Sequence, residues 1–146
     1  MRISTRSRYG LKLMINLASR TSRGYFLLKD IAKDEEISEK YLSLLVIPLR
    51  KAGLLTTSRG VNGGYSLSKN PSKISVKEIV EILEGDLAVV DSINNEDISS
   101  RSKNYASRYV WEGLGDKISG FLSTINLEDL AKIKRENNLM SIEYNI

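Results

Sequence analysis

Apolar and polar residues repeat at helical spacing along most of the chain, which predicts a mainly α-helical fold. Ser4 or Thr5 is a suitable N-cap for a first helix that runs to about Ser19. A short second helix is predicted to open with residues 26–32, before the polar turn 34–37. Two helices joined by a few polar residues make a helix-turn-helix unit, whose second helix would begin at Ser38.

The helix that follows Ser38 has apolar residues every three or four positions, so it can bury one face. Pro48 removes one backbone donor and is expected to bend this helix. Gly53 is expected to end it.

Two β-prone runs, residues 54–58 and 65–68, flank a connection rich in glycine and asparagine. Such a pair predicts a β-hairpin, with Arg59 near its tip. A capped helix followed by a hairpin is the layout of a winged helix-turn-helix. In that fold the helix enters the major groove of DNA and the hairpin, or wing, reaches the backbone or the minor groove.

A fourth helix is predicted after the wing, because Ser75 and Glu78 have the spacing of a capping box. Its expected buried face is Val76, Ile79, Val80 and Leu83, and Gly85 is expected to end it. We therefore predict a winged helix-turn-helix domain over residues 1–85. Residues 86–103 are predicted to be a flexible loop, since the part from 94 onward is polar and unpatterned.

Helical spacing resumes at about Asn104 and defines a C-terminal region, residues 104–146. Three glycines each lower the intrinsic helicity of this segment by up to about 1 kcal/mol, so the helix is expected to depend on packing. We interpret it as a dimerisation helix; the alternative is a helix packed within its own chain. The residues expected at the dimer interface are Tyr105, Trp111, Leu114, Ile118, Phe121 and Leu122. A short last helix over 127–133 and a C-terminal tail complete the region.

Charge is distributed unevenly along the chain. The formal net charge is +4, but residues 1–85 hold 15 Lys and Arg against 8 Asp and Glu, a balance of +7. Residues 86–146 hold 7 against 10, a balance of −3. A basic front half favours a polyanionic partner such as duplex DNA; the alternative is an ordinary solvated basic surface.

The chain has neither cysteine nor histidine. Their absence excludes disulfides, thiolate-bound zinc and cysteine-held iron–sulfur clusters, and it leaves no residues for the usual nucleophile–base pairs. We therefore expect no enzyme, no cofactor and no metal site, and we interpret Glu81 and Glu84 as carboxylates of a solvated helix face. No signal peptide or membrane-spanning run is evident, which predicts a cytoplasmic protein.

Several segments of the chain resemble the Rrf2 family of bacterial winged-helix transcription regulators: residues 1–10, Pro48–Leu54, and Arg59–Gly60 followed by Gly63–Tyr65. The resemblance covers nearly the whole chain and implies homodimers that bind pseudo-palindromic operators through the third helix and the wing. Iron–sulfur and nitric-oxide sensors of the family carry three cysteines in the loop before the dimer helix. The corresponding loop here, Ser92–Tyr105, has none, so the resemblance points to the cluster-free branch that controls cysteine and sulfur metabolism.

The resemblance and the charge pattern together assign the DNA contacts. Ser38 and the N–H groups beside it would hold a phosphate, and Arg59 would enter a narrow minor groove. Glycines in the wing would let it approach DNA without Cβ clashes. The candidate DNA-binding residues are Arg2, Arg8, Tyr9, Ser38, Lys40, Tyr41, Arg50, Arg59, Gly60, Gly63 and Gly64.

The third helix departs from the family pattern. Ser43 and Leu44 stand where Glu and Gln are common, so an amide able to pair with adenine is missing. Leu44 is expected either to touch thymine methyl groups or to extend the core, and Ile47 is expected to lie in the core. Operator preference therefore does not carry over from relatives.

The tail 139–146 suggests a protein partner. Regulators of the cysteine branch form complexes with cysteine synthase (O-acetylserine thiol-lyase), whose active site accepts partner tails that end in isoleucine. We hypothesise that Tyr144 and Ile146 engage that enzyme through capture of the terminal carboxylate. The alternatives are that the terminal isoleucine is accidental or packs within the dimer.

Together these features predict a homodimeric, sequence-specific DNA-binding regulator of cysteine and sulfur metabolism, and we favour a repressor. One alternative is a protein-interaction module that kept the fold and lost DNA contact. The other is a regulator that answers to a different small-molecule signal, for which the three glycines near the dimer helix would leave room.

Overall fold

The structure, a computed structural model, describes residues 1–20, 24–89 and 105–144. Within these ranges it has six α-helices, a two-stranded antiparallel sheet and one 3-10 turn, Pro71–Lys73. The predicted class, mainly α with a small β-hairpin, is confirmed. The helices are α1 (Thr5–Ser19), α2 (Leu28–Glu35), α3 (Glu39–Lys51), α4 (Val76–Glu84), α5 (Tyr105–Ser123) and α6 (Leu127–Tyr144); the strands are β1 (Leu55–Ser58) and β2 (Gly64–Leu67).

Serine hydroxyls cap the helices where the sequence predicts them. The Oγ of Ser4 accepts from the N–H of Ser7 at 3.2 Å, and the Oγ of Ser38 accepts from the N–H of Tyr41 at 3.2 Å. Ser75 and Glu78 form the predicted capping box. Each cap satisfies a backbone donor that would otherwise lack a partner, which fixes where the helix begins.

The two strands of the wing are joined by a third backbone segment, the one that precedes α2. β1 and β2 pair with Leu55 opposite Leu67, and Phe26 pairs with Tyr65, with N···O distances of 2.9 and 2.8 Å. The prediction that the second helix opens at Phe26 is therefore wrong, and α2 begins at Leu28. The backbone groups of Phe26 are engaged by the wing and cannot enter a helix.

The core surrounds α1. Leu13 and Met14 of α1 are fully buried, together with residues from α2, α3, α4 and α6. A Cβ placed on Gly10 would lie 2.1 Å from Cδ1 of Leu83, so the missing side chain lets α1 and α4 approach closely. All four residues of the predicted buried face of α4 are buried.

The turn between α5 and α6 is hydrogen-bonded to the segment before α4. The N–H of Val76 donates to the carbonyl of Ile125 at 2.8 Å, and the N–H of Leu127 donates to the carbonyl of Ile74 at 3.0 Å. α5 packs against α4, while α6 packs against α1. The guanidinium of Arg135 on α6 donates to the carbonyl of Ala18 at 3.1 Å, near the C-terminus of α1.

The last helix is longer than predicted, because α6 continues through the expected polar stretch 134–138 to Tyr144. The expected free tail from Leu139 is thus helical over most of its length. Lys, Arg and Glu in this stretch are good helix formers, and no glycine or proline interrupts it. Ile146 and residues 90–103 of the loop predicted over 86–103 lie outside the described residues. Among the helices of the described ranges, none is long and apolar enough to cross a membrane.

Candidate nucleic-acid interface

The outward face of α3 carries cations at both ends and apolar side chains between them. Helical spacing places Lys40, Ser43, Leu44, Ile47 and Lys51 on one side, and all five are exposed. The opposite side, Leu42, Leu45, Val46 and Leu49, is buried in the core. The helix is therefore anchored by its apolar stripe and presents the other face to solvent.

Two tyrosine rings join α1 to the first turn of α3. Tyr9 and Tyr41 meet edge to face, with ring centroids 5.7 Å apart and planes at 89°. The Lys12 ammonium lies 5.7 Å from the centroid of the Tyr9 ring, and the Arg8 guanidinium lies 5.9 Å from it. The pair of rings thus carries two cations of α1 alongside the N-terminus of α3.

Two grooves flank α3 and extend this surface. Arg6 of α1 and Lys51 line one groove of about 420 Å³ with Tyr41, Leu44 and Ile47. Arg50 lines the other, of about 310 Å³, with Ser43, Ile47 and the wing residue Tyr65. The helix and the wing therefore share one continuous surface.

Within the described residues this cationic surface is largely uncompensated, although the charge of Arg6 acts on the carboxylate of Glu84. In the part of the chain that the structure describes, no ion pair involves its seven cations, which are Arg6, Arg8, Lys12, Lys40, Arg50, Lys51 and Arg59. Uncompensated cations attract phosphate groups, and their release of counterions supplies much of the affinity of DNA-binding proteins.

A carboxylate at the end of α4 fixes the start of α1. Glu84 accepts from the N–H of Ser4 at 3.3 Å and from its hydroxyl at 2.5 Å, and it accepts from the hydroxyl of Ser7. The hydrogen bonds from the Ser4 and Ser7 side chains hold the pKa of Glu84 below its ordinary value. The interpretation of Glu84 as a solvated surface carboxylate is wrong; it positions the helix that carries Arg6, Arg8 and Tyr9.

Two glycines of the wing lie where a side chain would clash with the protein's own backbone. A Cβ on Gly63 would lie 2.4 Å from the carbonyl oxygen of Ser58, and one on Gly64 would lie 2.3 Å from that of Phe26. The expected role of these two glycines is therefore corrected: the missing side chains make room for the protein's own backbone. Gly60, by contrast, has open space around it and a φ of +106°.

The structure brings only part of the predicted site together. Arg8 and Tyr9 lie near the start of α1, beside Ser38, Lys40 and Tyr41 at the start of α3, whereas Arg50 lies at the other end of α3. Arg2 precedes α1 and Arg59 lies in the wing loop, and within the described residues no hydrogen bond or ion pair joins either to α3. The candidate DNA-binding residues did not include Arg6 and Lys12, which belong to the basic front half of the sequence, nor Lys51, which the helical spacing of α3 could have indicated.

Ile47 is not in the core as predicted. Its side chain is 50% exposed and that of Leu44 is 58% exposed, because the buried stripe of α3 passes along the other side. Both residues lie in the middle of the cationic surface.

The exposed residues of α5 define a second candidate surface. Trp111 is 43% and Phe121 65% exposed, Tyr105 and Leu114 are also exposed, and no residue of α5 is buried. Between α4 and α5 lies a cavity of about 330 Å³, whose walls include Trp111 and four carboxylates. The sequence did not indicate this polar group, since its members, Glu81, Asp86, Glu112 and Asp116, come from separate segments.

Comparisons with known proteins agree with this arrangement. The pattern of the Rrf2 family, described as an iron-dependent transcriptional regulator, matches residues 3–133. The helix-turn-helix transcriptional regulator CymR of Bacillus subtilis is 40% identical over 131 residues, 90% of either chain. The regulator IscR of Photorhabdus laumondii is 34% identical over 89% of this chain and 79% of its own.

A solved structure described as CymR, the global cysteine regulator of B. subtilis, superposes with a TM-score of 0.75. It is 38% identical in sequence, over 91% of this chain and 98% of its own. These relatives are transcriptional regulators and not enzymes. The chain belongs to the Rrf2 family of helix-turn-helix transcriptional regulators.

Proposed function

We propose that this regulator binds duplex DNA as a homodimer, with α3 in the major groove and the wing on the adjoining backbone or minor groove. The observation that carries the proposal is the unpaired cationic surface, which runs from α1 across both ends of α3 to the wing. A polyanion is the partner that such a surface attracts. The exposed aromatic face of α5 supplies the contact between the two copies.

Salt dependence tests DNA binding. The association constant of the full-length protein for a duplex pool of random sequence should fall as salt concentration rises. On a plot of the two logarithms, the slope should be about −0.9 for each phosphate contacted. Arg50→Ala should lower the magnitude of the slope by about 0.9, since one such contact is lost. Lys132→Ala, at an exposed position of α6 that lines neither of the two grooves beside α3, is the control and should leave the slope unchanged. Binding that is undetectable, or that does not respond to salt, would favour the protein-interaction alternative.

Iron does not fit the residues of this chain, despite the description of the family. With no cysteine or histidine, the chain lacks the thiolate and imidazole ligands that ordinarily hold iron and iron–sulfur clusters in proteins. Within the described residues no group of three or more acidic side chains is placed to hold a metal ion. Neither iron nor an iron–sulfur cluster therefore has a part in the proposed regulation.

Cysteine and sulfur metabolism is the regulated process that we propose, with the protein acting as a repressor. Support comes from the similarity to CymR, described as the global cysteine regulator of B. subtilis. Transcripts of sulfur-assimilation genes should rise on deletion of the gene under cysteine-replete growth. If the deletion changed no transcript of sulfur metabolism, the proposed process would be wrong.

A complex with cysteine synthase is a further hypothesis. It places Tyr144 and Ile146 at the enzyme's active site, and two residues follow the end of α6 at Tyr144. Deletion of residues 145–146 should abolish capture of the purified enzyme, whereas Lys132→Ala should not affect it. Unchanged capture after the deletion would exclude this mode of binding.

A further inference from the structure

The middle of the α3 outward face has almost no free hydrogen-bonding capacity. Leu44 and Ile47 are apolar, and the hydroxyl of Ser43 donates to the carbonyl of Lys40 at 2.5 Å. Direct recognition of bases ordinarily relies on amide, guanidinium or carboxylate groups at these positions. This helix must obtain its specificity in another way.

The two apolar side chains are not needed for the core. Their neighbours Leu45, Val46 and Leu49 are at most 2% exposed and hold α3 in place, whereas Leu44 and Ile47 remain at least half exposed. Exposed aliphatic groups in the centre of a functional surface indicate an apolar contact with a partner.

Charge identifies that partner as DNA. The groove lined by Leu44 and Ile47 is also lined by Arg6 and Lys51, which form no ion pair within the described ranges. Lys40 and Lys51 stand at opposite ends of the same face, about 16 Å apart at the rise of an α-helix. With α3 in the major groove, cations at both ends of the helix would meet phosphates while its apolar centre faces the bases.

Only one apolar group projects into the major groove, the C5 methyl of thymine. We propose that Leu44 and Ile47 make α3 a reader of thymine methyl groups, and that the distribution of these methyls sets operator preference. The inference rests on the proposed DNA binding through α3. Leu44 and Ile47 would determine which sequence α3 prefers, whereas the cationic surface would supply affinity for DNA of any sequence.

The test uses a duplex that the full-length protein selects from a random pool, remade with deoxyuridine in place of thymidine in one half-site. Uracil keeps the Watson–Crick edge and the groove acceptors of thymine and lacks only the methyl. Wild-type protein should bind the substituted duplex about fourfold more weakly for each contacted methyl, the effect of one buried carbon. The double variant Leu44→Ala, Ile47→Ala should bind both duplexes equally.

Val61→Ala is the matched control, since Val61 is a fully exposed aliphatic residue of the wing loop. It should show the same sensitivity to deoxyuridine as wild type. The alanine variants replace half-exposed side chains, and thermal unfolding followed by circular dichroism checks that each is folded. If wild type selects and binds a duplex tightly but ignores the loss of the methyls, this inference is wrong and DNA binding stands. If wild type binds no duplex, the proposed function itself fails.

Discussion

The ring of Tyr9 on α1 meets the ring of Tyr41 on α3 edge to face, with 5.7 Å between centroids. Tyr41 also donates its backbone N–H to the cap residue Ser38. The first turn of α3 is therefore held from two sides, by its own cap and by an aromatic contact with α1. Aromatic pairs in this geometry contribute about 0.5–1.5 kcal/mol beyond burial.

Removal of the Tyr9 ring should loosen the start of α3. We expect Tyr9→Ala to lower the free energy of unfolding by about 1–3 kcal/mol, less than for a fully buried aromatic residue. It should also weaken DNA binding, because Arg8 and Lys12 lose the ring beside which they lie. Urea denaturation and fluorescence anisotropy with labelled duplex measure the two effects.

Tyr9→Phe separates the ring from its hydroxyl. It keeps the edge-to-face contact and should change stability by less than about 0.5 kcal/mol. If Tyr9→Ala matched wild type in both measurements, the contact would have no part in positioning α3.

The carboxylate of Glu84 should make stability depend on acidity. Its pKa is lowered by hydrogen bonds from Ser4 and Ser7. At pH values between the folded and the unfolded pKa of Glu84, the folded state therefore binds fewer protons than the unfolded state. The stabilisation is fully present above the ordinary glutamate pKa of about 4.3 and is lost as pH falls through the lower, folded value. Glu84→Gln should therefore be less stable than wild type at neutral pH, and the two should converge as pH falls through the lowered pKa of Glu84 in the folded state.

The control for Glu84 is Glu81→Gln on the same helix. Glu81 is exposed and forms an i,i+4 ion pair with Lys77 at 3.7 Å, and within the described ranges its carboxylate accepts no hydrogen bond from α1. The thermal midpoint of Glu81→Gln should equal that of wild type at every pH tested. A constant difference between Glu84→Gln and wild type from pH 7 to pH 3 would contradict the assignment.

Alanine at Gly64 should disrupt the wing. Gly64 has a φ of +139°, and its Cβ would lie 2.3 Å from the carbonyl oxygen of Phe26. The backbone conformation alone would cost about 1–3 kcal/mol, and the clash would break the pairing of Phe26 with Tyr65. The amide exchange of these two residues, followed by NMR, should become faster together with a fall in unfolding free energy.

Gly60→Ala provides the matched comparison, because its φ of +106° is also strained while nothing lies within 4 Å of the added Cβ. It should lower stability less than Gly64→Ala and leave the exchange of Phe26 and Tyr65 unchanged. Equal effects of the two substitutions would show that the close approach to Phe26 is unimportant.

A charge on the exposed face of α5 should prevent dimerisation. Trp111→Glu would place a carboxylate at a two-fold interface in both copies, and loss of one central aromatic commonly costs about 2 kcal/mol or more. The dimer dissociation constant should rise at least about 30-fold, measured by sedimentation equilibrium. Lys132→Glu makes a charge change at an exposed site of α6 and should remain dimeric. A dimeric Trp111→Glu would exclude this face.

Local chemistry made much of the fold predictable. The caps at Ser4, Ser38 and Ser75 depend on residues three positions apart, and each helix start follows from them. The wing strands lie within about one residue of the predicted runs because turn residues bound them on both sides. Such features need no knowledge of the rest of the chain.

The wrong predictions share a different cause. Each concerns a residue whose environment is set by a part of the chain that is distant in sequence. Phe26 is extended because Tyr65 pairs with it, and Glu84 accepts hydrogen bonds from residues 80 and 77 positions earlier. Ile47 is exposed because of where the core lies, which periodicity alone did not resolve. The sequence indicated that the front half of the chain is basic. That Arg8 and Lys12 lie beside the paired rings of Tyr9 and Tyr41 could be seen only in the structure.

The hydrogen bonds from Val76 to Ile125 and from Leu127 to Ile74 have a consequence for operators. They join the end of α5 to the half of the chain that carries α3, so in a dimer built on α5 the two copies of α3 would keep one separation and one relative phase. Such a dimer would accept half-sites only when both major grooves face the same side of the duplex. Insertion of half a helical turn, about five base pairs, between the half-sites would turn one of them away from the protein.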